Sequence, residues 1–271
     1  RGGTGDDLLR GGVGADVLDG GVGTDTADYS TSSAGVTVGL DGSTGIGGDA
    51  AGDTLSGIER IVGSGHADRL IGGMDSETLD GGAGDDVLVG SLGNDTLIGG
   101  AGTDTADYST SAAGVTIGLD GSFGSSGDAS GDRLVQIERI IGSAQGDTLS
   151  GSTGNDILDG GAGNDTLSGA NAGSGVTVNL ATGTGTGGDA QGDSFASVEN
   201  IIGSDFDDTV VGSASDEVIV GGAGIDTLSG GAGADSIDGG TGDDIIAGGA
   251  GADSIDGGAG FDTADYSASS A

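Results

Sequence analysis

Residues 221–265 read GGAGIDTLS, GGAGADSID, GGTGDDIIA, GGAGADSID and GGAGFDTAD, five uninterrupted nine-residue units. Glycine holds positions 1, 2 and 4, aspartate position 6, and an aliphatic residue or alanine position 8. These positions divide the physical work. The glycines permit positive φ in a tight turn and close backbone approach. The aspartate offers hard carboxylate oxygen of the kind calcium prefers. The residue at position 8, flanked by small or polar neighbours, gives a very short strand one side chain to bury. One unit is half a coil.

The pattern GGxGxDxUx, with U a large aliphatic residue, resembles the nonapeptide of the RTX (repeats-in-toxin) hemolysin-type calcium-binding family. The resemblance implies an all-β chain folded as a right-handed parallel β-roll, a β-solenoid with calcium ions in the turns. Eighteen residues would make one coil, with strands alternating between two sheets. It further implies carboxylates joined by turn carbonyls from adjacent coils, and a protein exported by type I secretion.

Extended outward, the same ruler finds nonapeptide runs at 2–28, 63–107, 142–168 and 203–265. All 18 units begin with Gly, and position 6 is Asp in 16 of them and Glu in two, Glu77 and Glu217. Three interruptions at 29–62, 108–141 and 169–202 are each 34 residues long, resemble one another through GVTVxL, GDAxGD and IERI-like strings, and form a second, larger repeat. Residues 266–271 begin a fourth. Runs of three, five and seven units differ by eighteen residues, hence by whole coils. The expectation is one continuous solenoid over 1–271, with three strands per interruption keeping both sheets in phase. At ~4.8 Å per coil it would be a rod of ~65 Å. In the first interruption Val36, Val38 and Leu40 form the inward set, and the disguised nonapeptide at 48–56 has Asp53 at position 6 and Leu55 at position 8.

Composition bounds the function. With 67 glycines among 271 residues, only the strict period argues against disorder. There is no Cys, so neither disulfides nor thiolate metal sites are available. The formal charge of −38, from 44 acids against six arginines, would make a compact cation-free chain repel itself. It also disfavours nucleic acid and membrane insertion. No apolar run reaches membrane-spanning length.

The metal candidates are the position-6 acids Asp7, Asp16, Asp25, Asp86, Asp95, Asp104, Asp156, Asp165, Asp226, Asp235, Asp244, Asp253 and Asp262. Asp68, Asp147 and Asp208 join them from worn turns that have lost glycines. About ten sites flanked on both sides would bring roughly +20 charge. No catalytic or other cofactor-binding residue emerges. His66, the one histidine, reads as a turn residue. Tyr29, Tyr108 and Tyr266, each two residues after an alanine, read as core packing rather than a sugar platform. Glu59–Arg60 and Glu138–Arg139, replaced by Glu199–Asn200, read as surface pairs.

The resulting reading is a non-enzymatic, calcium-stabilised repeat region of a large secreted or cell-surface bacterial protein: a stalk, adhesin, filament or matrix unit that folds on calcium after export. Its partners would be calcium, further copies or repeats end to end, and polysaccharide or a cell surface. Neither end carries a capping repeat, which leaves strand edges to continue covalently or pair. The alternative is the carboxy-terminal roll of a secreted protease, lipase or mannuronan C5-epimerase. The 79-residue repetition from Asp25 to Asp104 favours the long array. A free-standing polysaccharide lyase would want a basic cleft and long loops.

Overall fold

The structure is a computed structural model and describes residues 1–267. Of the expected fourth interruption only Tyr266 and Ser267 are included; residues 268–271 lie outside the described residues. The chain divides into two compact units, Arg1–Ala144 and Gln145–Ala271. Among the described residues each is built from strands of two to six residues, mostly paired parallel, with isolated antiparallel bridges in the first unit and one antiparallel strand in the second. Every fold subunit has the same cause. Position 8 points inward and positions 7 and 9 outward, so a three-residue strand suffices to bury one side chain.

In the first unit a six-stranded sheet runs through Leu8–Leu9, Thr26–Asp28, Arg60–Val62, Thr78–Ala83, Thr96–Ala101 and Arg133–Val135. Successive strands of a nonapeptide run alternate between this sheet and a second one. Within a run the register is one coil, so Thr78 pairs with Thr96 and Leu79 with Leu97. The position-8 residues Leu70, Leu79, Leu88 and Leu97 are fully buried between the sheets, as is Ile61. The second unit repeats this plan around a sheet through Thr148–Ser150, Thr166–Ser168, Asn200–Ile202, Val218–Ala223, Ser236–Thr241 and Ser254–Asp256. Its core column includes Ile219, Leu228, Ile237 and Ile246.

The interruptions do more than keep the sheets in phase. In the first, strand Thr37–Gly39 opens a new sheet by pairing with Arg69–Ile71. Strand Thr54–Ser56 stacks on Val17–Asp19, and that pair ends there. Strand Arg60–Val62 stacks on Thr26–Asp28 and continues the shared sheet. One coil therefore has three sides, and the sheet opposite the shared one is exchanged for another. The third interruption repeats the three stackings without breaking the sheet: Thr177–Asn179 pairs with Thr209–Val211, Ser194–Ala196 with Ile157–Asp159, and Asn200–Ile202 with Thr166–Ser168. There an extra strand, Thr184–Thr186, runs antiparallel between Thr177–Asn179 and Ser194–Ala196 and joins them into one sheet. Three parallel strands per interruption is right, but at the first interruption staying in phase does not mean continuing both sheets, since one of them ends and another begins. Alternation identifies a strand, whereas the length of the link before it chooses its partner. Leu40 and Leu55 are half-buried, because they line the step where the old sheet stops.

A short 3₁₀ turn in each link, Gly48–Ala50, Gly127–Ala129 and Gly188–Ala190, buries its alanine. Tyr29 and Tyr108 are buried as core residues, and their hydroxyls donate to Asp53 Oδ2 (3.1 Å) and Asp132 Oδ2 (3.0 Å). Tyr266 is exposed.

Candidate metal centre

The position-6 acids form ladders along the turns. Inside a run an acid puts one oxygen on the backbone N–H of the acid one coil earlier: Asp68 N–H donates to Asp86 Oδ1, Asp86 N–H to Asp104 Oδ1 and Asp226 N–H to Asp244 Oδ1, at 2.8–2.9 Å. That bond sets the carboxylate's orientation, because one oxygen is spent on the backbone and the other turns into the fold. The second oxygens of Asp7, Asp25, Asp86, Asp95, Asp104, Asp165, Glu217, Asp226, Asp235 and Asp244 are buried without a hydrogen-bond partner. An unpaired buried carboxylate oxygen is costly, so this repeated arrangement requires a counterpart.

The position-1 glycine shows where that counterpart belongs. A Cβ built on Gly239 would lie 2.5 Å from Asp244 Oδ2 and 2.6 Å from the carbonyl oxygen of Gly257 in the next coil. On Gly2 it would press on Asp7 Oδ2 and lie 2.6 Å from the Gly20 carbonyl oxygen. Glycine thus keeps open a cradle walled by a carboxylate oxygen from one coil and a carbonyl oxygen from the next. Such an all-oxygen, anionic donor set suits a hard divalent cation, and calcium's tolerance of irregular geometry suits it best. Among the described residues no three acidic or histidine side chains gather around one point. Carbonyls must therefore complete any site, since stacked coils separate the carboxylates by about 4.8 Å.

Electrostatics point the same way. Burial, reinforced by neighbouring carboxylates, pushes Asp86, Asp165 and Asp226 up to about 6. Asp95 is also raised, by burial and by Asp132 and Glu77. Between carboxylates one coil apart the repulsion is about 1 kcal/mol at water's dielectric and roughly 3–4 kcal/mol at an effective value of 20. A cation between them reverses that sign.

The expected sites differ in detail. At Asp68 and Asp208, a serine at position 2 occupies the carboxylate. Ser64 donates from N (2.5 Å) and Oγ (2.9 Å) to Asp68, and Ser204 from N (2.6 Å) and Oγ (2.8 Å) to Asp208. Asp156 is held likewise by Ser152 N (2.6 Å) and Oγ (3.0 Å). Asp147 is buried and its N–H donates to Asp165 Oδ1. Asp16 N–H donates to Asp53 Oδ1 at 2.8 Å. Asp253 and Asp262 take the N–H of Asp235 and Asp244, but the next coil needed to close their cradles is not among the described residues. His66 is an exposed turn residue.

Several ladder members escaped the sequence reading. Glu217 keeps one orphaned oxygen while Ser213 Oγ donates to the other, and its place at position 6 was the available signal. Asp132 and Asp193 continue ladders by accepting the N–H of Asp95 and Asp156. Burial and nearby acids raise Asp132 to about 6 and Asp193 to about 7. Glu59, Glu138 and Glu199 are not simple surface residues: they accept the N–H of Asp25, Asp104 and Asp165 at 2.8–2.9 Å.

Comparison with known proteins agrees with this geometry. The family described as RTX calcium-binding nonapeptide repeat (4 copies) matches residues 1–27, 53–88, 71–106, 138–171, 195–228 and 229–264, well over half the chain. The chain belongs to this family. RTX nonapeptide repeats bind calcium, and the RTX matches contain the glycine cradles and orphaned carboxylates described above. No curated protein matches the chain significantly.

Proposed function

We propose that this chain is a calcium-stabilised structural region of a large secreted or cell-surface RTX protein, a stalk, adhesin or filament segment that folds on meeting external calcium. The carrying observation is the row of buried carboxylate oxygens lacking partners, each beside a position-1 glycine whose missing Cβ leaves room at that oxygen. Asp7, Asp25, Asp86, Asp95, Asp104, Asp165, Asp226, Asp235 and Asp244 would hold the ions, joined by Glu217 through Oε2 alone, since Ser213 holds its Oε1. Asp16 and Asp147 share the ladder. Asp253 and Asp262 would bind once a further coil covers them, and the serine-held Asp68, Asp156 and Asp208 would bind only if the serine yields. The bound ion supplies positive charge between coils; the chain's own part is to orient oxygens and exclude water. The supporting charge argument is that 44 acids face six arginines. Among the described residues no helix is long and apolar enough to cross a membrane.

Extracellular calcium modules bind at ~0.1–1 mM. Such affinity would leave the chain unfolded in a low-calcium cytosol, threadable for export, and folded outside. Limited proteolysis tests this reading. Rapid digestion in submicromolar calcium and resistance at about 1 mM, within that range, is expected. Equal resistance in both would contradict it.

A further inference from the structure

Each interruption rebuilds the missing calcium turn from three residues: Gly57-Ile58-Glu59, Gln136-Ile137-Glu138 and Ser197-Val198-Glu199. In a nonapeptide run, the coil above contributes a Gly carbonyl to the cradle and a carboxylate to the N–H of the acid below. At the interruptions the same two contacts come from this short segment. A Cβ on Gly20 would lie 2.7 Å from Asp25 Oδ2 and collide with the Gly57 carbonyl oxygen. On Gly99 it would lie 2.6 Å from Asp104 Oδ2 and collide with the Gln136 carbonyl oxygen. On Gly160 it would lie 2.6 Å from Asp165 Oδ2 and collide with the Ser197 carbonyl oxygen. The second oxygens of Asp25, Asp104 and Asp165 have no partner, and these residues are 0, 0 and 1% exposed.

The backbone explains why the acid is Glu. Glu59 N–H (3.1 Å) and Arg60 N–H (3.0 Å) both donate to the Asp25 carbonyl, and the same double donation recurs from Glu138 and Arg139 to Asp104 and from Glu199 and Asn200 to Asp165. Two residues facing one make a bulge. The added methylene of Glu lets the carboxylate reach the ladder from that bulged backbone. The carbonyl donor is left-handed in all three copies, with φ of 57° at Gly57, 51° at Gln136 and 52° at Ser197. Two copies hold that conformation despite a Cβ, which ordinarily disfavours it.

We infer that Glu59, Glu138 and Glu199, with the carbonyls of residues 57, 136 and 197, form calcium half-sites completed by Asp25, Asp104 and Asp165. The interruptions would then carry the ion ladder through the exchange of sheets instead of breaking it. This inference rests on the proposed calcium sites of the regular turns.

The test compares calcium bound per full chain, by equilibrium dialysis and atomic absorption, for wild type, E59Q, E138Q, E199Q and D226N. Gln keeps an acceptor for the aspartate N–H while removing the charge, so a purely structural glutamate would tolerate it. Each Glu→Gln change is expected to lose one ion, and E138D, with its shortened reach, should lose it too. Unchanged calcium in the Gln variants alongside a loss in D226N overturns this inference and leaves the regular sites standing. No loss in any variant overturns both. For a variant that folds poorly, the calcium midpoint of folding decides: a higher midpoint with full recovery in excess calcium supports the half-site, and loss of fold unaffected by calcium contradicts it.

Discussion

A single methyl group on Gly239 would fill the cradle proposed to hold calcium beside Asp244. Gly239 has no left-handed φ, so alanine is conformationally acceptable there, and its Cβ would lie 2.5 Å from Asp244 Oδ2 and 2.6 Å from the Gly257 carbonyl oxygen. Without an ion, Gly→Ala gains about 0.4–1 kcal/mol through the unfolded state but crowds two oxygens, costing about 1–3 kcal/mol. If the cradle holds an ion, its loss at a hundredfold excess over the dissociation constant removes a further ~2.7 kcal/mol. The net expected cost is roughly 3–5 kcal/mol in saturating calcium. The control is Gly65→Ala, where φ is also unrestricted and a Cβ would meet nothing within 4 Å. Calcium titration followed by circular dichroism should show a higher folding midpoint for G239A and the wild-type midpoint for G65A. Coincident midpoints would refute the cradle reasoning.

Other substitutions and conditions check separate parts of the account. Tyr108→Phe removes the hydroxyl on Asp132 Oδ2 and should cost about 1–3 kcal/mol in a chemical denaturation measured in calcium, whereas Y266F at an exposed position should cost nothing measurable. Gln136→Gly relieves a left-handed residue and should stabilise by about 1 kcal/mol, seen as a rise in melting temperature. In chelator, acids such as Asp86 and Asp226, raised by burial to about 6 from 3.8, favour the folded form when protonated. That contribution is complete below the ordinary carboxylate range and lost as pH rises through about 6, so residual β signal should grow as a chelated sample is acidified and shrink on return to neutrality.

What the sequence made legible follows the periodicity. Leu79, Leu88 and Leu97 occupy the core because position 8 is the one inward side chain of each strand. Asp86 and Asp226 join ladders because position 6 recurs every coil. The exchange of sheets at Thr37–Gly39 was not legible, because GVTVGL specifies a strand but not the strand beside it. Glu59 was hidden for a related reason: its carboxylate reaches the ladder through a bulge, without the flanking glycines that mark the nonapeptide. The serine capture of Asp156 turns on one hydroxyl at position 2, yet Ser91 at the equivalent place leaves Asp95 Oδ2 unpartnered. Local backbone conformation decides between them, with Ser91 at φ 70°.

The most direct measurement of the central claim is far-ultraviolet circular dichroism of the whole chain as calcium is added to a chelated sample at neutral pH. A calcium-held roll predicts a largely unfolded spectrum in chelator and cooperative appearance of β signal as calcium reaches ~0.1–1 mM, reversed by renewed chelation. A full β spectrum in chelator, unchanged by calcium, would contradict the account.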